Sequence, residues 1–215
     1  ADVAALDVFG ETAVGGALHL FTRDPNSHLL GVVGGVADSG AGNIIWGGAE
    51  AELYLGNISI QTVAGLSESD SSVLGASDDT DFLGMVDLSF YATDNLRFMT
   101  GVSSVANFES ASIGMEWLMQ DTLGMPLSLK AEAAMGEDDF VAAQAGVTFY
   151  FGGSDSSKSL IRRHREDDPP IRAFIGSSAL NIFGAGVLGG DDGNGCDPGY
   201  APDPEYGGVC EPIRN

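Results

Sequence analysis

Charged residues occupy the polar positions of several strongly alternating segments. The immediate neighbours of each one in the chain are apolar. Carboxylates and cations aligned in this way can pair with one another, bind a cation or line a water-filled path. The residues are Glu50, Glu52, Asp87, Arg97, Glu116, Lys130 and Glu132. They predict a network of charges inside a narrow lumen, in which the two bases pair with some of the five acids.

Motifs for catalysis are missing from the sequence. It contains no G-x-S-x-G elbow, no Walker loop and no H-E-x-x-H, and only 3 His. His19 shares the polar face of the first alternating segment with Glu11, which is weak support for a Ser-His-acid hydrolase. The acidic groups at 68–70 and 78–81 lack EF-hand spacing, so a solvated loop is favoured over a calcium site. We therefore predict that the chain is not an enzyme and has no catalytic, cofactor or metal site.

The overall charge is strongly acidic. The chain of 215 residues has 31 Asp and Glu against 9 Lys and Arg, which gives a net charge of −22. Such a surface repels phosphate backbones, so nucleic acid is not expected as a partner. No apolar run reaches the roughly 18 residues that a membrane-spanning helix needs. The chain begins at Ala1 without Met, which we interpret as an exported protein whose signal peptide has been removed.

Nine segments alternate apolar and polar residues with a period of two, the period of a β-strand. Gly, Pro, Asn and Asp separate them, so the pattern predicts hairpin connections and an antiparallel meander. Their lengths are close to the about nine to eleven residues that a tilted strand needs to cross a bilayer. The segments are 11–22, 29–37, 45–55, 58–66, 81–92, 96–107, 111–120, 127–135 and 143–151.

Two environments can explain this alternation. In a soluble β-sandwich the apolar face forms the core and the polar face meets water. In a closed barrel the apolar face meets lipid and the polar face lines the lumen. Charges in the middle of segments, such as Glu116 and Lys130, favour the barrel because a narrow lumen lets them pair.

The stretch QAGVTFYF, residues 144–151, resembles the terminal-strand signal of bacterial outer-membrane β-barrels. The residues that carry the match are Gln144, Gly146, Phe149 and Phe151. The size of residues 1–153 is similar to that of the small eight-stranded barrels of the OmpA type. The resemblance implies a transmembrane up-and-down barrel of about eight strands in the outer membrane of a Gram-negative bacterium. It further implies contact with membrane lipid, recognition by the barrel-assembly machinery and a periplasmic tail.

Residues 154–215 form this C-terminal tail. The stretch KSLIRRHREDDPP at 158–170 concentrates basic residues before acidic ones, and we interpret it as a solvated charged linker. Contact with anionic headgroups or with a partner is the alternative. The segment 173–190 is apolar again, so we expect it to be buried against a partner protein, a second copy of the chain or the barrel itself.

Cys196 and Cys210 are the only 2 cysteines of the chain. They flank a segment rich in Gly, Pro and Asp, which predicts a disulfide and an oxidising compartment. Closing this loop would add about 3 kcal/mol of stability on the loop-entropy estimate. Two free thiols are the alternative.

Three functions follow from these patterns. The first is a structural or anchoring outer-membrane barrel whose tail engages a partner. The second is a narrow, porin-like channel that selects cations through its carboxylates. The third is a soluble exported β-sandwich subunit that assembles through residues 173–190.

Overall fold

In a computed structural model the chain is one long antiparallel meander. The structure describes residues 2–8, 11–39, 42–70, 80–105, 108–119, 125–136, 141–150, 157–170, 200–202 and 210–212. Ten strands follow one another in a single sheet, and each pairs with its neighbours in chain order. They are β1 Asp2–Val8, β2 Glu11–Asp24, β3 His28–Ser39, β4 Gly42–Leu55, β5 Ile58–Asp70, β6 Thr80–Thr93, β7 Leu96–Val105, β8 Phe108–Met119, β9 Leu127–Gly136 and β10 Val141–Phe149.

Two small elements follow the sheet. A helical turn, α1, spans Leu160–Arg162 and continues as a π-helical turn over Arg163–Asp167. Strands β11, Tyr200–Pro202, and β12, Cys210–Pro212, form a separate two-stranded ladder. The fold is therefore all-β with little helix.

The nine predicted segments correspond to β2–β10, and β1 is the strand that the pattern missed. The expected total of about eight strands is too low, because the Gly-rich segments 11–22 and 29–37 are both strands of the sheet. Glycine in this part of the sheet permits close approach of neighbouring strands. A Cβ added at Gly35 on β3 would collide with the backbone carbonyl of Gly16 on β2.

Four connections gather at one end of the sheet, which we call the short-turn end. Three of them are residues 25–27, 56–57 and 94–95; of the fourth, between β8 and β9, the structure describes residues 125–126. Gly56 has a φ of 61°, which a residue without a Cβ adopts without strain. Each of these turns accepts a backbone hydrogen bond from the end of the strand that lies next to it. For example, the Tyr91 amide donates to the Asn57 carbonyl at 2.8 Å, and the Leu118 amide donates to the Asn95 carbonyl at 2.8 Å. These bonds hold the turns side by side.

The two faces of the sheet differ sharply in exposure. On one, the inner face, most side chains are buried, whereas large apolar side chains on the outer face are exposed. Towards the end opposite the short turns the inner face is apolar, with Trp46, Val63, Leu83, Met85 and Val105 in one buried cluster. Towards the short-turn end it is polar, and its buried groups there include Glu52, Arg97 and Glu116.

The sheet is rolled rather than flat. The eight residues 160–167 contact Arg23 on β2, Tyr91 on β6 and Tyr150 just after β10. In a flat sheet β2 and β10 would lie about 38 Å apart at the usual strand spacing. A helical stretch of that length spans only about 12 Å. The short-turn ends of these strands must therefore curl around the segment.

Strands β1–β10 form one sheet and not the two stacked sheets expected of a β-sandwich. Among them no ladder joins β1 to β10, so the sheet is open where the structure describes it. None of the described helices is long and apolar enough to cross a membrane. Three of the predicted features, namely Phe151, Cys196 and the apolar segment 173–190, lie outside the described residues.

Candidate functional site: a buried charge cluster at the short-turn end

Glu116 is the centre of a buried charge cluster. Arg97, Glu116 and Lys130 stand directly opposite one another on β7, β8 and β9. The Arg97 guanidinium lies 3.2 Å from the Glu116 carboxylate, and the Lys130 ammonium lies 3.8 Å from it. Cross-strand neighbours on one face are close enough for such pairs, so the register of the three strands builds the cluster.

Two hydroxyl groups complete the surroundings of this carboxylate. Ser128 Oγ donates a hydrogen bond to Glu116 Oε1 at 2.6 Å, and the Tyr150 hydroxyl donates to the same oxygen at 3.0 Å. The Glu116 side chain is 0% exposed. A carboxylate without water is costly unless cations and donors surround it, and here it has both.

His164 reaches the cluster from the C-terminal tail. Its Nε2 lies 3.4 Å from Glu116 Oε2, and its Nδ1 lies 2.9 Å from the Tyr91 hydroxyl. Burial lowers the pKa of His164 to about 4, although the nearby Glu116 carboxylate opposes this shift. The ring is therefore neutral at pH 7. The contacts fit a tautomer that carries its proton on Nε2, towards Glu116, and accepts a hydrogen bond from Tyr91.

Arg163 and Arg165 flank this histidine and also pack against the end of the sheet. Arg165 donates hydrogen bonds to the Ile58 carbonyl at 3.0 Å and to Ser59 Oγ at 3.1 Å. Its guanidinium lies 4.8 Å from the centre of the Tyr54 ring. The Arg163 guanidinium lies 5.1 Å from the centre of the Tyr150 ring. Both distances are those of cation–π contacts.

The expectation of a solvated charged linker is therefore wrong for Leu160, Arg163 and His164, which are buried. Arg163 and His164 are both 3% exposed, and Leu160 is fully buried. The sequence offered a weak signal, since Leu160 and Ile161 interrupt the charged run. We call residues 157–170 the tail segment.

The other predicted charges also lie on the inner face. Glu132 accepts a hydrogen bond from Gln144 at 2.6 Å. Glu52 accepts one from the Tyr54 hydroxyl at 2.9 Å. Asp87 is half-buried beside Gly101, so close that a Cβ there would collide with its carboxylate.

Glu50 lies 2.7 Å from His19 Nδ1. His19 thus pairs with a residue of β4, and the side chain of Glu11, its suggested partner, lies outside the described residues. The seven predicted charges thus share the inner face, and Arg97, Glu116 and Lys130 form the cluster whose ion pairs are described above.

The residues of the terminal-strand pattern lie on β10 as far as the structure describes them. Gln144 points to the inner face, where it bonds Glu132, whereas Phe149 is exposed on the outer face. A Cβ at Gly146 would meet no atom within 4 Å, so local packing does not explain this glycine.

A cavity of about 340 Å³ remains next to the charge cluster. It is lined among others by Arg97, Lys130, Glu132, Gln144, His164 and Pro169. Within the described part of the chain no group of three His, Cys, Asp or Glu side chains is arranged to hold a metal ion.

Comparisons with known proteins identify no relative of the chain. No protein-family model matches the chain, and no curated protein matches it.

Proposed function

We propose that the chain is a β-barrel of the bacterial outer membrane, with a structural or anchoring role. The observation that carries the proposal is the contrast between the two faces of the sheet. Every strand from β2 to β10 exposes large apolar side chains on the outer face, while charged side chains are buried on the inner face. Soluble monomers rarely expose continuous apolar patches of this extent, whereas a bilayer requires them.

Aromatic residues support the same environment. Near the short-turn end the outer face exposes a row of aromatic side chains. The row consists of Phe90, Phe98, Trp117 and Phe149. Aromatic girdles at the level of the lipid headgroups are typical of membrane barrels.

Strand number and curvature support closure of the sheet. The number of strands, ten, is even, as in single-chain bacterial barrels. In an antiparallel meander an even number places the start of β1 and the end of β10 at the same end of the sheet. The roll of the sheet around residues 160–167 points the same way. In the proposed barrel β1 pairs with β10, the barrel-assembly machinery reads Gln144, Gly146, Phe149 and Phe151, and the tail is periplasmic.

Packing of the inner face favours a structural role over an open pore. The apolar cluster around Trp46 lies in the half opposite the short turns, beside a cavity of about 710 Å³. The charge cluster and the tail segment occupy much of the other half. We therefore propose a barrel without catalytic activity whose tail beyond Pro170 engages a partner protein or a second copy of the chain.

One substitution pair tests the lipid-facing assignment. Ile113 is in the middle of β8 on the outer face and is 64% exposed. In a bilayer Ile113→Arg should cost about 2–4 kcal/mol. At an exposed site of a soluble protein the same change should cost about 0.5 kcal/mol or less. Thr93→Arg, at the exposed end of β6, is the control.

The readout is the heat-dependent gel shift of protein extracted from the outer membrane, combined with its midpoint of unfolding in urea. Loss of the folded band for Ile113→Arg but not for Thr93→Arg supports the proposal. Equal stability of both variants, in protein that stays folded in buffer without detergent, overturns it.

A narrow cation channel is the second candidate. Five carboxylates face two bases among the predicted inner charges, and the cavity of about 340 Å³ shows that the polar half is not completely filled. Cation-selective conductance of the purified protein in planar bilayers would favour this function over a purely structural one.

A further inference from the structure

The tail segment is bound to the sheet as a peptide ligand would be. It is not a strand of the sheet, since its hydrogen bonds go to side chains, turn carbonyls and strand-end carbonyls. The Leu160 amide donates to Asn95 Oδ1 at 3.2 Å, and the Ile161 amide donates to the Asp94 carbonyl at 3.2 Å. The segment can therefore leave without breaking any ladder between β1 and β10.

The surface beneath it has the chemistry of a site for basic side chains. Tyr54, Tyr91 and Tyr150 present ring faces, on which the guanidinium groups of Arg163 and Arg165 lie. Strand-end carbonyls and hydroxyls accept hydrogen bonds from Arg165. Aromatic faces together with aligned acceptors select a planar cation over a neutral side chain.

An apolar anchor fixes the segment in the same place. Leu160 is fully buried and packs in one cluster with Tyr91 and Leu118. Arg162, by contrast, has a side chain that is 55% exposed, and it pairs with Glu166 of the same segment at 2.8 Å. The site thus distinguishes the two arginines at 163 and 165 from their neighbour at 162.

We propose that the short-turn end of the inner face is a peptide-binding site, and that the tail segment is its built-in occupant. The site recognises a short helical peptide with a leucine followed three and five residues later by arginines. A partner protein that carries this pattern would displace the tail segment and release the chain beyond Pro170. This inference does not depend on the membrane location of the sheet.

The experiment uses the full-length protein with a protease site introduced at residues 154–156. After cleavage, a fluorescent synthetic peptide of residues 157–170 is added and its anisotropy is measured. Unlabelled peptides with Arg165→Ala or Arg162→Ala serve as competitors. Trp fluorescence and the heat-dependent gel shift report whether the sheet stays folded.

The proposal predicts that the labelled peptide exchanges into the cleaved protein. The Arg165→Ala peptide should compete at least about 10-fold more weakly than the native peptide, since it loses two hydrogen bonds and two ring contacts. The Arg162→Ala peptide should compete within about 2-fold of the native one.

Three results would overturn the proposal. One is failure of the peptide to exchange, and another is equal competition by the two arginine variants. The third is unfolding of the sheet after cleavage, which would make the segment a structural part of the fold. Failure of the membrane proposal would show instead as loss of outer-membrane fractionation, with peptide exchange intact.

Discussion

Replacing Arg97 by Met should destabilise the protein strongly, because it removes the closest cation from a buried carboxylate. Arg97 is 3% exposed and its guanidinium lies 3.2 Å from Glu116. Removing one member of a buried ion pair usually costs about 3–5 kcal/mol. Lys130 and two hydroxyl donors still face Glu116 in the variant, so we expect the lower end, about 3 kcal/mol.

Lys130→Met is the matched control on the same carboxylate. Its ammonium is farther away, at 3.8 Å, and its side chain is 22% exposed, so water screens the pair. The expected loss is about 1 kcal/mol or less. The double variant Arg97→Met with Glu116→Gln should recover part of the loss, because the remaining group no longer carries a buried charge.

Urea unfolding followed by Trp fluorescence and by the heat-dependent gel shift gives the free energies of unfolding. The prediction requires the order wild type, Lys130→Met, Arg97→Met, with the double variant more stable than Arg97→Met. Equal and small losses for both single variants would contradict the prediction and would mean that Glu116 is solvated and its cluster open to water.

The other predictions concern the tail segment and the assembly signal. The pKa of His164 is lowered to about 4 from 6.5, so docking of the segment should be strongest above pH 6.5 and weaken as the pH falls towards 4, by at most about 3 kcal/mol. The groups facing this ring are Tyr91, Arg97, Glu116, Lys130 and Tyr150. A titration of protease sensitivity at residues 154–156 against pH measures this pH dependence of docking, and His164→Gln should abolish it. In the uncleaved protein Arg165→Ala should raise that protease sensitivity about 10-fold or more, whereas Arg162→Ala should leave it within about 2-fold, and equal sensitivity would contradict the contacts assigned to Arg165. Because Phe151 belongs to the terminal-strand pattern, Phe151→Ala should reduce the amount of protein in the outer membrane without reducing its synthesis, as measured by fractionation and immunoblotting. Normal insertion of this variant would mean that residues 144–151 are not an assembly signal.

Alternation predicted most of the sheet because strand side chains alternate between faces whatever the tertiary structure. The inward position of Glu116 and Lys130 and the outward position of Ile113 and Trp117 follow from that period alone. The pattern missed strand β1 because its residues from Val3 to Leu6 are all apolar and provide no contrast between the two faces.

The tail segment could not be predicted in the same way. Its burial depends on aromatic residues that lie far away in the chain, such as Tyr54 and Tyr91, and on the curl of the sheet that brings them together. From the local sequence alone, a run of charged residues predicts exposure to water. The grouping of the inner charges likewise depends on the register, which places Arg97, Glu116 and Lys130 in one row.

The central claim is that the outer face of the sheet meets lipid. The most direct measurement places a cysteine-attached fluorophore at Ile113 or at Thr93, in protein whose Cys196 and Cys210 are replaced by Ser, and reconstitutes it with lipids brominated along the acyl chain. A lipid-facing Ile113 should be strongly quenched by bromine near the bilayer centre, whereas Thr93 should show little quenching. Absence of acyl-chain quenching at Ile113 in folded protein would contradict it.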